Sequence, residues 1–192
     1  MTNGPAIPSL LFISSESHLD YSALYAIATA YAHSGLLISN YGQGTDCPEF
    51  SFPAVVCSSF AIELFLKFFL MLENAESTEP SPKHQSGHRL DDLWKKISPA
   101  RQSLVAGMFR NSINVPLLNA SDRRIELFEQ ALTNVGQMPF MKWRYAYELH
   151  GPNLMPHGAI AEVLDALGYA AQYVMKERSG GCQPSTPIPD GF

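Results

Sequence analysis

The sequence predicts an all-α fold, an antiparallel helical bundle in which short helices cross two long ones. Apolar residues recur at helical spacing in several stretches, and the 192 residues contain no run of alternating strand patterns, which a βαβ fold would require. The number and lengths of these stretches favour a bundle. We expect one domain over residues 19–178, preceded by an N-terminal arm (1–18) and followed by a flexible tail (179–192).

The N-terminal part of the domain contains two predicted helices joined by a loop. Apolar residues at helical spacing predict the first helix over 19–38, with Gly35 weakening its end. The glycines, asparagine and proline of 40–48 predict a loop. The second helix is predicted over 53–74 and is apolar nearly all round, as expected of the central helix of a bundle.

The C-terminal part of the domain contains short predicted helices and one long last helix. A polar loop, 75–87, separates it from the second helix. Ser98 and Pro99 predict a helix cap and first turn. Pro116 is expected to interrupt the helical pattern, and Ser121 predicts the cap of the next helix. The predicted helices are 88–97, 98–112, 122–135, a short one over 141–150, and 156–178.

The second helix has the length and apolar character of a membrane span. Glu63 and Lys67 lie at its centre, where charges are costly in a bilayer, and no basic cluster flanks it. We therefore expect a helix buried in protein, with no membrane as a partner.

Composition and charge narrow the classes of function. Charged residues make up 16% of the chain, against about 25% in an average protein, so we expect an oligomer that hides apolar surface. The net charge of −5 argues against a non-specific coat on nucleic acid, which needs a basic field. Cys47, Cys57 and Cys182 form no CxxC pair, so we expect reduced thiols in the cytoplasm.

Glu63 and Lys67 are four residues apart, which allows an ion pair on one helix face. One interpretation places this pair on the least buried edge of the helix. The other turns Glu63 inward, where it needs a further donor, because buried charges must be paired. The segment around Arg144, or His88, is expected to supply that donor.

The histidines suggest a metal site at first sight. His84 and His88 are four apart, as zinc ligands on a helix often are, and His150 and His157 could complete a set. Gly87 and the neighbouring prolines argue against a continuous helix there, and no HExxH motif is present. We expect no metal. Since no Walker loop or GxGxxG motif occurs either, we expect no cofactor.

The segment KWRYAYELH, 142–150, is unusual in composition. On a helix, Arg144 and Glu148 could pair, while Trp143, Tyr147 and His150 would share a neighbouring face. One interpretation is an aromatic anchor for a short crossing helix. The other uses Arg144 to hold an anion, His150 as a general acid or base, and the aromatic side chains to stack on a base.

Three segments, in this order, resemble the HEPN superfamily of helical domains. SSFAIELFLKFFLMLE resembles the family helix with a Glu-x-x-x-Lys centre, here Glu63 and Lys67. GHRLDDLWKKI resembles its His-x-Leu-x-x-Leu helix entry, here starting at His88. Arg144 and Tyr145, before a long amphipathic helix, resemble its Arg-Tyr element. The resemblance covers about residues 53–178.

The resemblance implies a helical bundle that commonly dimerises. Many members are ribonucleases with an Arg-x(4–6)-His motif, and Arg144 and His150 have five residues between them, which fits. In the nucleases a polar residue usually follows the arginine, whereas Tyr145 follows it here. An Arg-Tyr element is more typical of the branch that binds nucleotides or partner proteins.

These observations favour a HEPN-like binding module, expected to be a homodimer, that belongs to a nucleotide-related, RNA-related, toxin–antitoxin or defence system. Its expected binding residues are Trp143, Tyr145, Tyr147, Glu63, Lys67 and His88. One alternative is a metal-independent endoribonuclease that uses Arg144 and His150. The other is a helical protein-interaction domain without a ligand. We expect 141–150 and 156–178 to contribute to the dimer.

Overall fold

The computed structural model describes residues 20–78, 86–110, 120–150 and 153–178, and within these ranges it contains helices and no strand. The predicted all-α class is confirmed. The predicted arm and tail lie outside the described residues, as does the break at Pro116. The helices are α1 (Tyr21–Gly44), α2 (Ser51–Glu76), α3 (Leu90–Lys96), α4 (Pro99–Met108), α5 (Ala120–Val135), α6 (Pro139–Arg144) and α7 (His157–Arg178).

Helix α1 is longer than predicted and runs through most of the expected loop at 40–48. Gly35 does not weaken it, because this glycine is buried where α1 packs closely on α2. The helix ends only where the Thr45 N–H and hydroxyl both bond to the Tyr41 carbonyl. Asp46 then adopts a φ of 55°, which turns the chain back toward α2.

Helix α2 is the centre of the fold, as predicted, and packs against α1, α3, α6 and α7. Every residue from 61 to 70 is buried, which explains why the sequence is apolar on all sides. Over Pro48–Glu76 the chain is long and apolar enough to span a membrane, yet 72% of the most apolar window is buried in protein. The expectation of a protein-buried helix is thus confirmed.

The long helices do not all alternate in direction. Ring contacts of Tyr25 with Phe68 and of Tyr31 with Phe60 show that α1 is antiparallel to α2. The ends of α2 and α7 meet at a 2.8 Å contact between Glu76 and Arg178, and their first turns line one groove. These two helices are therefore parallel, and α1 is antiparallel to both of them, so the predicted antiparallel arrangement does not hold for the α2–α7 pair.

Helices α3, α4 and α5 cover the side of the bundle away from α1. Trp94 of α3 packs on Phe128 of α5, with ring centroids 4.6 Å apart. The predicted cap at Ser98 is confirmed, because its hydroxyl accepts from the Arg101 N–H. The predicted cap at Ser121 is wrong, since α5 already begins at Ala120. A single cluster of buried apolar side chains includes members from all of α1 to α7.

The short helix predicted over 141–150 is placed and bounded differently. Helix α6 starts at Pro139, whose ring suits a first turn, and stops at Arg144. Tyr145 leaves helical geometry (φ −110°, ψ 35°), and Ala146–Glu148 form a separate 3-10 turn. The proposed Arg144–Glu148 pair therefore loses its helical spacing, and among the described residues no ion pair joins the two.

Candidate functional site

A buried carboxylate lies at the centre of α2. Oε1 of Glu63 accepts from Nζ of Lys67 at 2.8 Å and lies 2.9 Å from Nδ1 of His88. Glu63 is 2% exposed and Lys67 is also buried, whereas the His88 side chain is 57% exposed. The prediction that Glu63 turns inward and finds a partner beyond Lys67 is confirmed, and that partner is His88.

The approach of His88 follows from how α3 is attached. The backbone N–H of Leu90, the first residue of α3, donates to the Gln137 carbonyl at 2.8 Å. Leu90 and Leu93 are buried, so α3 is held against the core just beyond His88. This anchoring places the His88 ring over Glu63, and only the histidine of the three side chains is open to solvent. Glu63 and Lys67 therefore act as internal supports.

Helix α6 lies beside the same stretch of α2. The ring of Phe140 stacks on Phe60, one turn before Glu63, with centroids 4.6 Å apart. Pro139 and Trp143 are also buried and hold this short helix to the protein. Because α6 is fixed at both places, its last residue, Arg144, projects from a well-supported position.

Arg144 is exposed and rests on aromatic rings. Its guanidinium carbon lies 5.8 Å from the ring centroid of Phe140 and 5.2 Å from that of Tyr145. Such positions favour a cation over a ring face. Tyr145 in turn contacts Tyr147, whose side chain is 79% exposed, with ring centroids 6.3 Å apart. Arg144, Tyr145 and Tyr147 thus form a continuous cation–aromatic surface, here called the α6 surface.

Trp143 does not share this surface. It is 4% exposed and belongs to the core cluster, so its ring is not open to stacking from solvent. Its indole N–H finds no acceptor among the described residues, and the Lys142 ammonium lies 4.7 Å from the ring centroid. Trp143 therefore matches the interpretation as an aromatic anchor.

His150 is exposed beyond the 3-10 turn, at the edge of the described segment 120–150. Its carbonyl accepts from the Asn153 side chain at 3.4 Å. The helix ends at Arg144 and a 3-10 turn follows before His150. The prediction of one short helix that contains both Arg144 and His150 is therefore wrong. His84, expected near His88, lies outside the described residues.

A cleft of about 590 Å³ adjoins the α6 surface. Tyr145, Glu148, Asn134 and Gln137 are among the residues that line it, and the last two carry side-chain amides. Exposed Met138 and Leu154 extend its apolar rim. The cleft therefore offers apolar contact together with hydrogen-bonding amides beside an exposed cation.

Sequence reasoning missed two features. One is a groove of about 630 Å³ between the end of α1 and the first turns of α2 and α7, lined in part by Ser39, Ser58 and His157. The other is Asp165, a buried carboxylate on α7 that lies 3.5 Å from Arg110. A charged residue inside the apolar stretch of α7 was the readable signal for Asp165. The groove had none, because distant segments form it.

No protein-family model, curated protein or solved structure matches this chain.

Proposed function

We propose that this chain is a HEPN-like binding module that holds a nucleotide or RNA on the α6 surface. The observation that carries the proposal is the exposed Arg144 guanidinium lying over aromatic rings beside the open ring of Tyr147. Arginine donates two parallel hydrogen bonds to phosphate. An aromatic ring stacks on a base without selecting its sequence. The surface therefore combines the two contacts that a nucleotide needs.

The remaining predicted residues support this surface. Glu63 and Lys67 are buried and His88 covers Glu63, so this trio stabilises the packing of α3 on α2. Trp143 anchors α6 from within the core. Stacking is therefore assigned to Tyr145 and Tyr147. The net charge of −5 disfavours non-specific coating of nucleic acid, so binding is expected to depend on the local contacts of the α6 surface.

The proposal is tested by titrating the purified protein into a short fluorescently labelled single-stranded RNA and, separately, a labelled ADP. We expect saturable binding to at least one of them, weakening as salt increases because phosphate contacts release counterions. Absence of saturable binding to both at low salt contradicts the proposal. That result favours the protein-interaction domain without a ligand, such as one half of a toxin–antitoxin or defence pair.

The helix break at Tyr145 favours a second candidate, a metal-independent endoribonuclease. On one regular helix, Arg144 and His150 would differ by about 240° in direction, and the break removes that constraint. In this candidate Arg144 stabilises the phosphorane charge while His150 transfers a proton. Its test is incubation with mixed RNA in EDTA. Cleavage by the parent that His150→Ala lacks supports it, and no cleavage by the parent contradicts it.

A further inference from the structure

Helix α1 carries an outer face that nothing in the described structure covers. Its 24 residues include no Asp, Glu, Lys or Arg. Solvent-exposed helices of water-soluble proteins ordinarily carry charges on their outer side. Here the exposed side holds large apolar side chains instead, with Leu37 68% exposed and Tyr41 59% exposed. This composition is typical of a surface that another helix covers.

The spacing on that face is the spacing of a helix-packing seam. Six positions follow one another at intervals of four and three residues, as the apolar seam of a coiled coil does. They are Ala23, Ile27, Ala30, Ser34, Leu37 and Tyr41. None of the six is in the buried class. The regular repeat over most of α1 indicates a helix, rather than a loop or a small molecule, as the occupant.

The seam can be covered without leaving a polar group unpaired. Its middle residues, Ala30 and Ser34, are small and let a second backbone approach. The Ser34 hydroxyl already donates to the Ala30 carbonyl at 2.8 Å, so burying it leaves no unmet donor. The hydroxyls of Tyr31 and Tyr41 belong to long side chains and can reach water at the rim of a contact.

The available apolar area is close to what a stable dimer needs. Tyr31 flanks the seam, and Phe50 extends it beyond Tyr41, whose ring is 4.9 Å from that of Phe50. With Ile27, Leu37 and Tyr41, these side chains expose roughly 500 Å², given about 150–250 Å² for a whole aromatic side chain. A standard interface buries about 800 Å² per partner, including backbone and small residues.

We propose that a second copy of this chain packs its own α1 against this seam across a two-fold axis. Identical faces that carry no charge do not repel each other, although each copy has a net charge of −5. An anionic membrane would need basic residues, and α1 has none. This places the dimer contact on α1 rather than on the predicted segments 141–150 and 156–178. The inference is independent of the nucleotide-binding proposal.

Light scattering at micromolar concentration tests the proposal on the parent, on Leu37→Glu and on the matched control Leu154→Glu. Leu154 is 91% exposed and lies beside α6 and α7. We expect the parent and Leu154→Glu to have twice the 21.2 kDa chain mass. Leu37→Glu should raise the dimer dissociation constant at least tenfold, because two glutamates enter an apolar seam.

Circular dichroism and thermal melting serve as the control for folding of Leu37→Glu. We expect this variant to fold, because Leu37 is exposed and a surface substitution costs little stability. The conservative variant Leu37→Met should remain dimeric. A parent of 21.2 kDa, a Leu37→Glu protein that stays dimeric, or dissociation by Leu154→Glu would each overturn the proposal. If Leu37→Glu does not fold, Ile27→Glu, on the same seam, gives the same test.

Discussion

The Nδ1 atom of His88 lies 2.9 Å from Oε1 of Glu63, so a half-exposed ring covers a carboxylate that is almost fully buried. The same oxygen accepts from Lys67. The two charges at the centre of α2 are thereby paired in a stretch where every residue from 61 to 70 is buried. This arrangement holds α3 on the central helix. The bond from the Leu90 N–H to the Gln137 carbonyl then joins the start of α3 to the segment that leads into α6.

Glu63→Ala should lower the free energy of unfolding by about 3 kcal/mol, because it leaves the Lys67 ammonium buried and unpaired. Urea denaturation measures the change. The control is the double variant Glu63→Leu with Lys67→Met, which removes both charges and should restore most of the loss. A Glu63→Ala loss below about 0.5 kcal/mol contradicts the buried pair.

His88→Ala should cost less, about 1 kcal/mol, since it removes one hydrogen bond while Glu63 keeps Lys67. The same urea titration gives the value. His88→Ala in the Glu63→Leu, Lys67→Met background should cost almost nothing, because the acceptor is gone. An equal loss in both backgrounds would show that His88 acts through packing alone.

Gly35→Ala should destabilise the protein by about 1 kcal/mol. An added Cβ would collide with the Ser58 hydroxyl and lie 3.0 Å from the Ala54 carbonyl, and this overpacking exceeds the gain in helix propensity. Gly107→Ala in α4 is the matched control, since a Cβ there meets nothing within 4 Å. It should stabilise by about 0.5 kcal/mol. A shift in the same direction for both variants in thermal unfolding would refute the close α1–α2 packing.

Stability should fall in mild acid through His33. Burial lowers the pKa of this imidazole below its ordinary value, so the folded state binds a proton less readily than the unfolded state. The contribution of neutral His33 to the free energy of unfolding is therefore fully present above the pKa that His33 has in the unfolded chain. It is lost as the pH falls from about 7 toward the lower pKa that His33 has in the folded protein. In denaturation at a series of pH values, His33→Gln should reduce this acid loss. Parallel curves for parent and variant would exclude the role of His33.

Features that depend on the local residue pattern and on the pairing of buried charges could be predicted from the sequence. An apolar helix with two charges at its centre, four residues apart, predicted both the central α2 and the inward Glu63, because a buried charge must find a partner. The same reasoning named the Arg144 segment or His88 as the source of that partner, and the contact is with His88. Ser98 before Pro99 predicted a helix start correctly for a local reason, the capping of the Arg101 N–H.

The boundaries that sequence reasoning missed are set by tertiary contacts. The end of α6 at Arg144 has no glycine or proline to announce it, since none occurs between Lys142 and His150. Gly35 indicated a weak helix end, but its role is to let α1 approach Ser58. The sequence contains the spacing of the outer α1 seam, which includes Ile27 and Leu37. Only the structure shows that this face is exposed.

In the proposed function, Arg144 holds the phosphate of a bound nucleotide or RNA. Fluorescence anisotropy of a labelled single-stranded RNA should be compared for the parent, Arg144→Gln and Arg123→Gln, which removes another exposed positive charge, on α5. We expect Arg144→Gln to weaken binding about tenfold or more, as the loss of a charge-assisted contact implies, and Arg123→Gln to stay within about twofold. Equal affinities for the two variants would contradict the account.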